Sequence, residues 1–140
     1  MRYVLLTKAS RHSEAGIHAS QESRAALEMF LQELDTAGIL LTYEMLYPSN
    51  NGLQLTFPDP NGQPAMKSGP LNNAQELIAG YTVIQVESEE EAIAWARRMP
   101  DPNGYGEGSI ELRRIQDPVV NNSHALAYGM ENELKNQLGL

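Results

Sequence analysis

The sequence predicts a single α+β domain in which two β-α-β units are separated by a β-hairpin, with the strands in one antiparallel sheet and both helices on one face. Three observations carry that prediction. Short period-two apolar runs and two amphipathic stretches of helical period follow one another as strand, helix, strand, hairpin, strand, helix, strand. The segments between them hold Pro, Gly and Asn where turns need them. A chain of 140 residues, 41% of them apolar, is of single-domain size with enough side chain for a core.

The first run, Arg2 to Lys8 (RYVLLTK), is rich in Tyr, Val and Leu and apolar on both alternating faces, the pattern of a central strand covered on each side. ASRHSEAGIHAS then reads as a polar loop. Ser20 is placed to cap a helix running to about Ala37, with Glu22 in its first turn and Gly38 just past its end. Leu27, Phe30, Leu31 and Leu34 recur at i, i+3, i+4 and i+7, a stripe that requires a packing surface. Ile39 to Tyr47 is a second strand stopped by Pro48, and NNG at Asn50 to Gly52 is turn chemistry before the alternating LQLTF of Leu53 to Phe57. After the tight turn PDPNGQP the chain returns toward Lys67, which makes a hairpin. SGPLNN closes it, and a strand from about Leu77 to Val86 follows.

Ser88-Glu89-Glu90-Glu91 is a capping box, in which the Ser88 hydroxyl accepts from the third helical N–H and Glu91 reaches back to the Ser88 N–H. Ala92, Trp95, Ala96 and Met99 line one helix face, Arg97 and Arg98 suit the C-terminal dipole, and Pro100 ends the helix. Ser109 to Ile115 (SIELRRI) is the last strand. This order is the split βαβ, or ferredoxin-like, arrangement, with a hairpin insertion. It assigns residues 1–117 to the domain. Residues 118–140 form a tail in which Leu126, Met130, Leu134 and Leu138 recur every four residues, a stripe that spirals around a marginal helix suited to docking on a partner subunit.

Composition narrows the function. Ten basic against eighteen acidic residues give a net charge of -8, which repels nucleic-acid backbones and anionic lipid alike. With no cysteine there is no disulfide, thiolate metal site or thiol nucleophile. MRYVLLTKAS lacks the apolar length of a signal peptide, and no run approaches the ~18 residues of a membrane span, so a cytoplasmic protein is expected. His12, His18 and His124 fall in loop or tail segments without partners at metal-ligand spacing, and no phosphate-binding glycine motif precedes a helix. Neither a metal nor a cofactor is predicted.

Chemistry is sought on the sheet face away from the helices. If Ile84 and Val86 face the helices, alternation sends Tyr81, Val83 and Gln85 to the other side. Likewise Ile110 and Leu112 turn toward the helices while Glu111 and Arg113 turn away, and Thr42 and Glu44 share a face. An uncovered sheet face with apolar residues needs a partner, which predicts a homodimer joined sheet to sheet and a semi-polar cavity holding Glu44, Gln85, Glu111 and Arg113. Ordinary cross-strand pairing of the same residues is the competing account.

The elements, taken together, resemble the YCII-related family, in the branch named for a D-G-P-F motif. The likeness rests on SEAG before the first helix, AGILL into strand two, YPSNNGLQLTF in the hairpin, SGPLNNAQELIAGYTVIQV, and SEEEAIAWARRMP followed by SIELRRI, over roughly Met1 to Ile115. It implies a dimeric α/β barrel of ferredoxin-like subunits and an active-site cleft near the D-G-P-F loop. Ser68 stands where the motif has Asp and Leu71 where it has Phe, leaving SGPL. Strand two, G-E-G-L-x-P-S in similar sequences, reads YEMLYPS, which keeps Glu44 and fills the two glycine positions with Tyr43 and Met45. Two readings follow. One is a small-molecule-binding dimer, with Glu44 or Glu76 as proton-transfer carboxylates and Tyr43, Ser68, Gln85, Glu111 and Arg113 contacting the ligand. The other is a non-catalytic interaction or regulatory module, which the resemblance links to extracytoplasmic-function sigma factors. The sequence leaves open whether the chain is an enzyme.

Overall fold

The computed structural model describes residues 1–71 and 76–118. The expected docking tail lies almost wholly outside the described residues. Its elements are β1 (Arg2–Lys8), α1 (Arg11–Glu14), α2 (Gln21–Thr36), β2 (Leu40–Met45), β3 (Leu53–Thr56), β4 (Ala65–Ser68), β5 (Ile78–Gln85), α3 (Glu89–Arg98) and β6 (Ile110–Arg114). Four strands form one sheet in the order β2-β5-β1-β6, every neighbouring pair antiparallel, while among the described residues β3 and β4 pair with each other in a second, two-stranded sheet. Omitting the hairpin, this is the ferredoxin-like order, with β1 and β5 central.

Alternation decides the faces. Tyr3, Leu5, Ile84 and Val86 join Leu27, Phe30 and Leu34 of α2 and Ala92 of α3 in one buried cluster, with Trp95, Ala96, Met99, Ile110 and Leu112 packed against it. The i, i+3, i+7 stripe of α2 is therefore spent on the sheet, and hydrophobic burial holds the two layers together. Both long helices lie on this side. Among the described residues the opposite side of β1 is half covered: Arg2, Val4, Leu6 and Lys8 are each partly exposed, so the expected cover of both faces is complete on the helix side.

The helix ends follow local chemistry. Ser20 Oγ accepts from Ser23 N at 3.2 Å, and Gly38 adopts φ +72° just past the end of α2, as the helix stop requires. Ser88 Oγ accepts from Glu91 N at 3.1 Å, but Glu91 Oε2 accepts from Glu87 N at 2.9 Å, one residue before the expected Ser88 N–H. A reciprocal box instead forms at α1, where Ser10 Oγ accepts from Ser13 N and Ser13 Oγ accepts from Ser10 N. This four-residue helix, inside the segment read as loop, is too short for any periodic signal.

The β3–β4 arm leans on its own backbone. Gly69 N donates to Gly52 O at 3.0 Å across its base, and a Cβ on Gly69 would lie 1.7 Å from Ser49 O, so only glycine permits that approach. The Gly69–Pro70 peptide is cis. No helix among the described residues is long and apolar enough to cross a membrane.

Candidate functional site

Strand register lays the face away from the helices out in rows. One row runs Glu44, Tyr81, Leu6, Glu111 from β2 through β5 and β1 to β6, and the next runs Thr42, Val83, Val4, Arg113. Gln85 stands opposite Arg2 at the far end of β5. Glu44, Gln85, Glu111 and Arg113 thus share the face that alternation assigns them. They do not converge within one chain: Glu44 and Glu111 sit on opposite edge strands, three strand spacings or roughly 14 Å apart. Between them lies an apolar stripe of Val4, Leu6, Tyr81 and Val83, each partly exposed.

The other candidates lie elsewhere. Tyr43 pairs with Thr82, whose face is the helix side, and packs against the core, so it cannot line a cleft with its neighbour Glu44. Burial raises its phenol above the ordinary value of 10.0. Ser68 is exposed at the base of the arm, opposite Leu53, and Glu76 is exposed just before β5. Among the described residues no group of three or more His, Asp or Glu side chains is placed to hold a metal.

At the end of the sheet where β1 finishes and β5 and β6 begin, the fold gathers residues that sequence spacing does not connect. Glu14 of α1 accepts from Ser49 N at 2.9 Å and from the Ser49 hydroxyl, and Ser49 Oγ accepts from Leu71 N at 2.9 Å. One carboxylate thereby ties α1 to the turn after β2 and, through Ser49, to the SGPL loop. Glu107, in the loop before β6, meets His12 Nδ1 at 2.8 Å through Oε2 and Arg11 at 3.2 Å through Oε1. The His12 ring stacks on Tyr105 with centroids 4.0 Å apart and planes 13° apart, and the Tyr105 hydroxyl donates to His18 O at 2.8 Å. The hydrogen bond from His12, then that from Arg11, holds the Glu107 carboxyl below its ordinary value of 4.5. His12 and Glu107 are 95 positions apart. No local motif reports such a pair, and the only trace in the sequence is the presence of both residues in loops that the topology brings to one end of the sheet.

On the helix side, a groove between α2 and α3 is lined by Met29, Glu33, Trp95 and Arg98. Its charged groups pair with each other, Arg98 with the Glu33 carboxylate, and Arg98 also lies 4.5 Å from the ring centroid over the face of Trp95.

Comparison with the curated proteins finds no match. Among solved structures, the chain is similar to a 5-chloro-2-hydroxyhydroquinone dehydrochlorinase from Burkholderia phenoliruptrix in complex with 2,5-dihydroxybenzoquinone, at 13% identity and a TM-score of 0.47, over 83% of this chain and 94% of that one. The family model of the YCII-related domain matches residues 1–118, which hold every strand and helix among the described residues, and the chain belongs to the YCII-related domain family.

Proposed function

We propose that this chain binds a small organic molecule on the open face of its four-stranded sheet, in a cleft closed by a second copy of itself. The observation that carries this reading is the layout of that face: an apolar stripe of Val4, Leu6, Tyr81 and Val83 bordered on both edges by Glu44, Glu111 and Arg113, with both long helices on the other side. Apolar floors with a few polar groups at the rim are how ligand sites are built. Because Glu44 lies across the sheet from Glu111 and Arg113, a second sheet laid over the first is what would bring the Glu44 carboxylate and the Arg113 guanidinium to one ligand. Arg113 then suits an anionic group, and Glu44 a hydrogen-bond donor.

The test is light scattering combined with a ligand-observed NMR fragment screen on the purified protein. A mass of two chains, with fragment binding lost in both Val83→Glu and Arg113→Gln, supports the reading. A single-chain mass, or binding untouched by both changes, overturns it.

A further inference from the structure

We propose that His12 and Glu107 form a proton-transfer site, distinct from the open sheet face, in which His12 Nε2 is the base, Glu107 orients it, and the substrate is a small carbonyl compound or phenol that can give up a proton. The inference goes beyond the sheet-face reading and does not depend on a second copy.

The geometry determines which atom reacts. A carboxylate only accepts hydrogen bonds, so the 2.8 Å contact of Glu107 Oε2 with His12 Nδ1 places a proton on Nδ1. The neutral ring then carries its lone pair on Nε2. One ring face is covered by Tyr105, while 32% of the side chain remains exposed, so Nε2 is the polar atom left to meet a ligand. The ring is held by groups that are themselves held. Tyr105 is anchored through its hydroxyl to His18 O, Glu107 through its second oxygen to Arg11, and the His12 carbonyl accepts from Ile17 N at 2.9 Å. An exposed ion pair needs none of this, and Arg11, 88% exposed, adds little to stability by itself. A histidine fixed by a carboxylate on one nitrogen and free on the other is the arrangement that general-base chemistry requires.

In the proposed step the Nε2 lone pair takes a proton from an O–H, or from a C–H beside a carbonyl, and the substrate keeps the electron pair as a phenolate or enolate. The imidazolium charge is balanced across Nδ1–H by Glu107, which Arg11 holds in place through its other oxygen. Nε2 afterwards returns its proton to the product, so no oxidant, metal or co-reactant is needed.

Diethyl pyrocarbonate tests the base without knowledge of the substrate, because it carbethoxylates neutral imidazole at a rate that follows the basicity and freedom of the nitrogen. At about pH 8, where an ordinary imidazole near 6.5 is neutral, His12 should react at least about threefold faster than the more exposed His18, as read by peptide mass spectrometry. Glu107→Gln, labelled at a temperature well below its own melting transition, should remove that excess. His12 reacting no faster than His18, or keeping its excess in Glu107→Gln, overturns the proposal. The wild-type comparison of the two histidines decides the matter even where the variant does not fold.

Discussion

Thr82 carries a hydroxyl into the centre of the helix-facing layer, where the side chain is fully buried and its Oγ1 has no hydrogen-bond partner among the described residues. A buried unpaired hydroxyl costs roughly 1–3 kcal/mol, whereas valine has the same shape. Thr82→Val should therefore raise stability by about 1 kcal/mol in urea denaturation. Gly69 gives the opposite case. A methyl group there would overlap Ser49 O, so Gly69→Ala must push the arm off its base and should cost more than about 2 kcal/mol, seen as a lower denaturation midpoint. Glu107 adds a pH dependence. Its carboxyl is held below 4.5 in the folded chain, so its contribution is present above 4.5 and is lost as pH falls through the depressed folded value. The melting temperature of the wild type should thus exceed that of Glu107→Gln at neutral pH, and the difference should shrink as pH drops below about 4.5.

The long elements follow from their sequences because each repeats its signal over several turns or pleats. Leu27, Phe30 and Leu34 are buried where a 3.6-residue period puts them, and Glu111 and Arg113 leave the core because Ile110 and Leu112 enter it. Caps are legible for the same local reason: Ser88→Ala removes the acceptor of the Glu91 N–H at the start of α3 and should cost about 1 kcal/mol by thermal melting. What the sequence does not disclose is anything held by contacts distant along the chain. The four-residue α1 has no period to detect, yet it supplies Arg11, His12 and Glu14, which reach Glu107 and Ser49 at separations of 96, 95 and 35 positions. Tyr43 shows the reverse failure. Its place in a glycine position of a resembled motif points to the cleft, but its parity along β2 turns it into the core. The carboxylates expected to matter share a face, as alternation requires, while their separation across four strands depends on sheet order, which no single strand encodes.

For the molecule as a whole, the two sheet edges differ in a way that bears on association. β6 ends one edge with Glu111, Arg113 and Arg114, charges that discourage strand pairing. β2 ends the other with Leu41 and Met45 exposed, and the chain runs on through Leu46 and Tyr47 to an arm whose Leu53, Leu55, Phe57 and Met66 are also exposed. Register places Leu55 beside Met66 and Leu53 beside Ser68, so the arm has one apolar side and one polar side, and a two-stranded hairpin has no core of its own to hide the former. If a second copy closes the open face, the β2 edge and the arm are the surfaces next to it best suited to being buried with it. The two contributions separate by mutation. Val83→Glu places a charge in the middle of the apolar stripe and should convert a dimer to single chains in light scattering, whereas Phe57→Ser, 69% exposed at the end of the arm, should weaken the dimer by about tenfold in dissociation constant, or ~1.4 kcal/mol, without abolishing it. Phe57→Ser matching the wild type at every protein concentration would place the arm outside the interface, and Val83→Glu remaining a dimer would show that the sheets do not meet face to face.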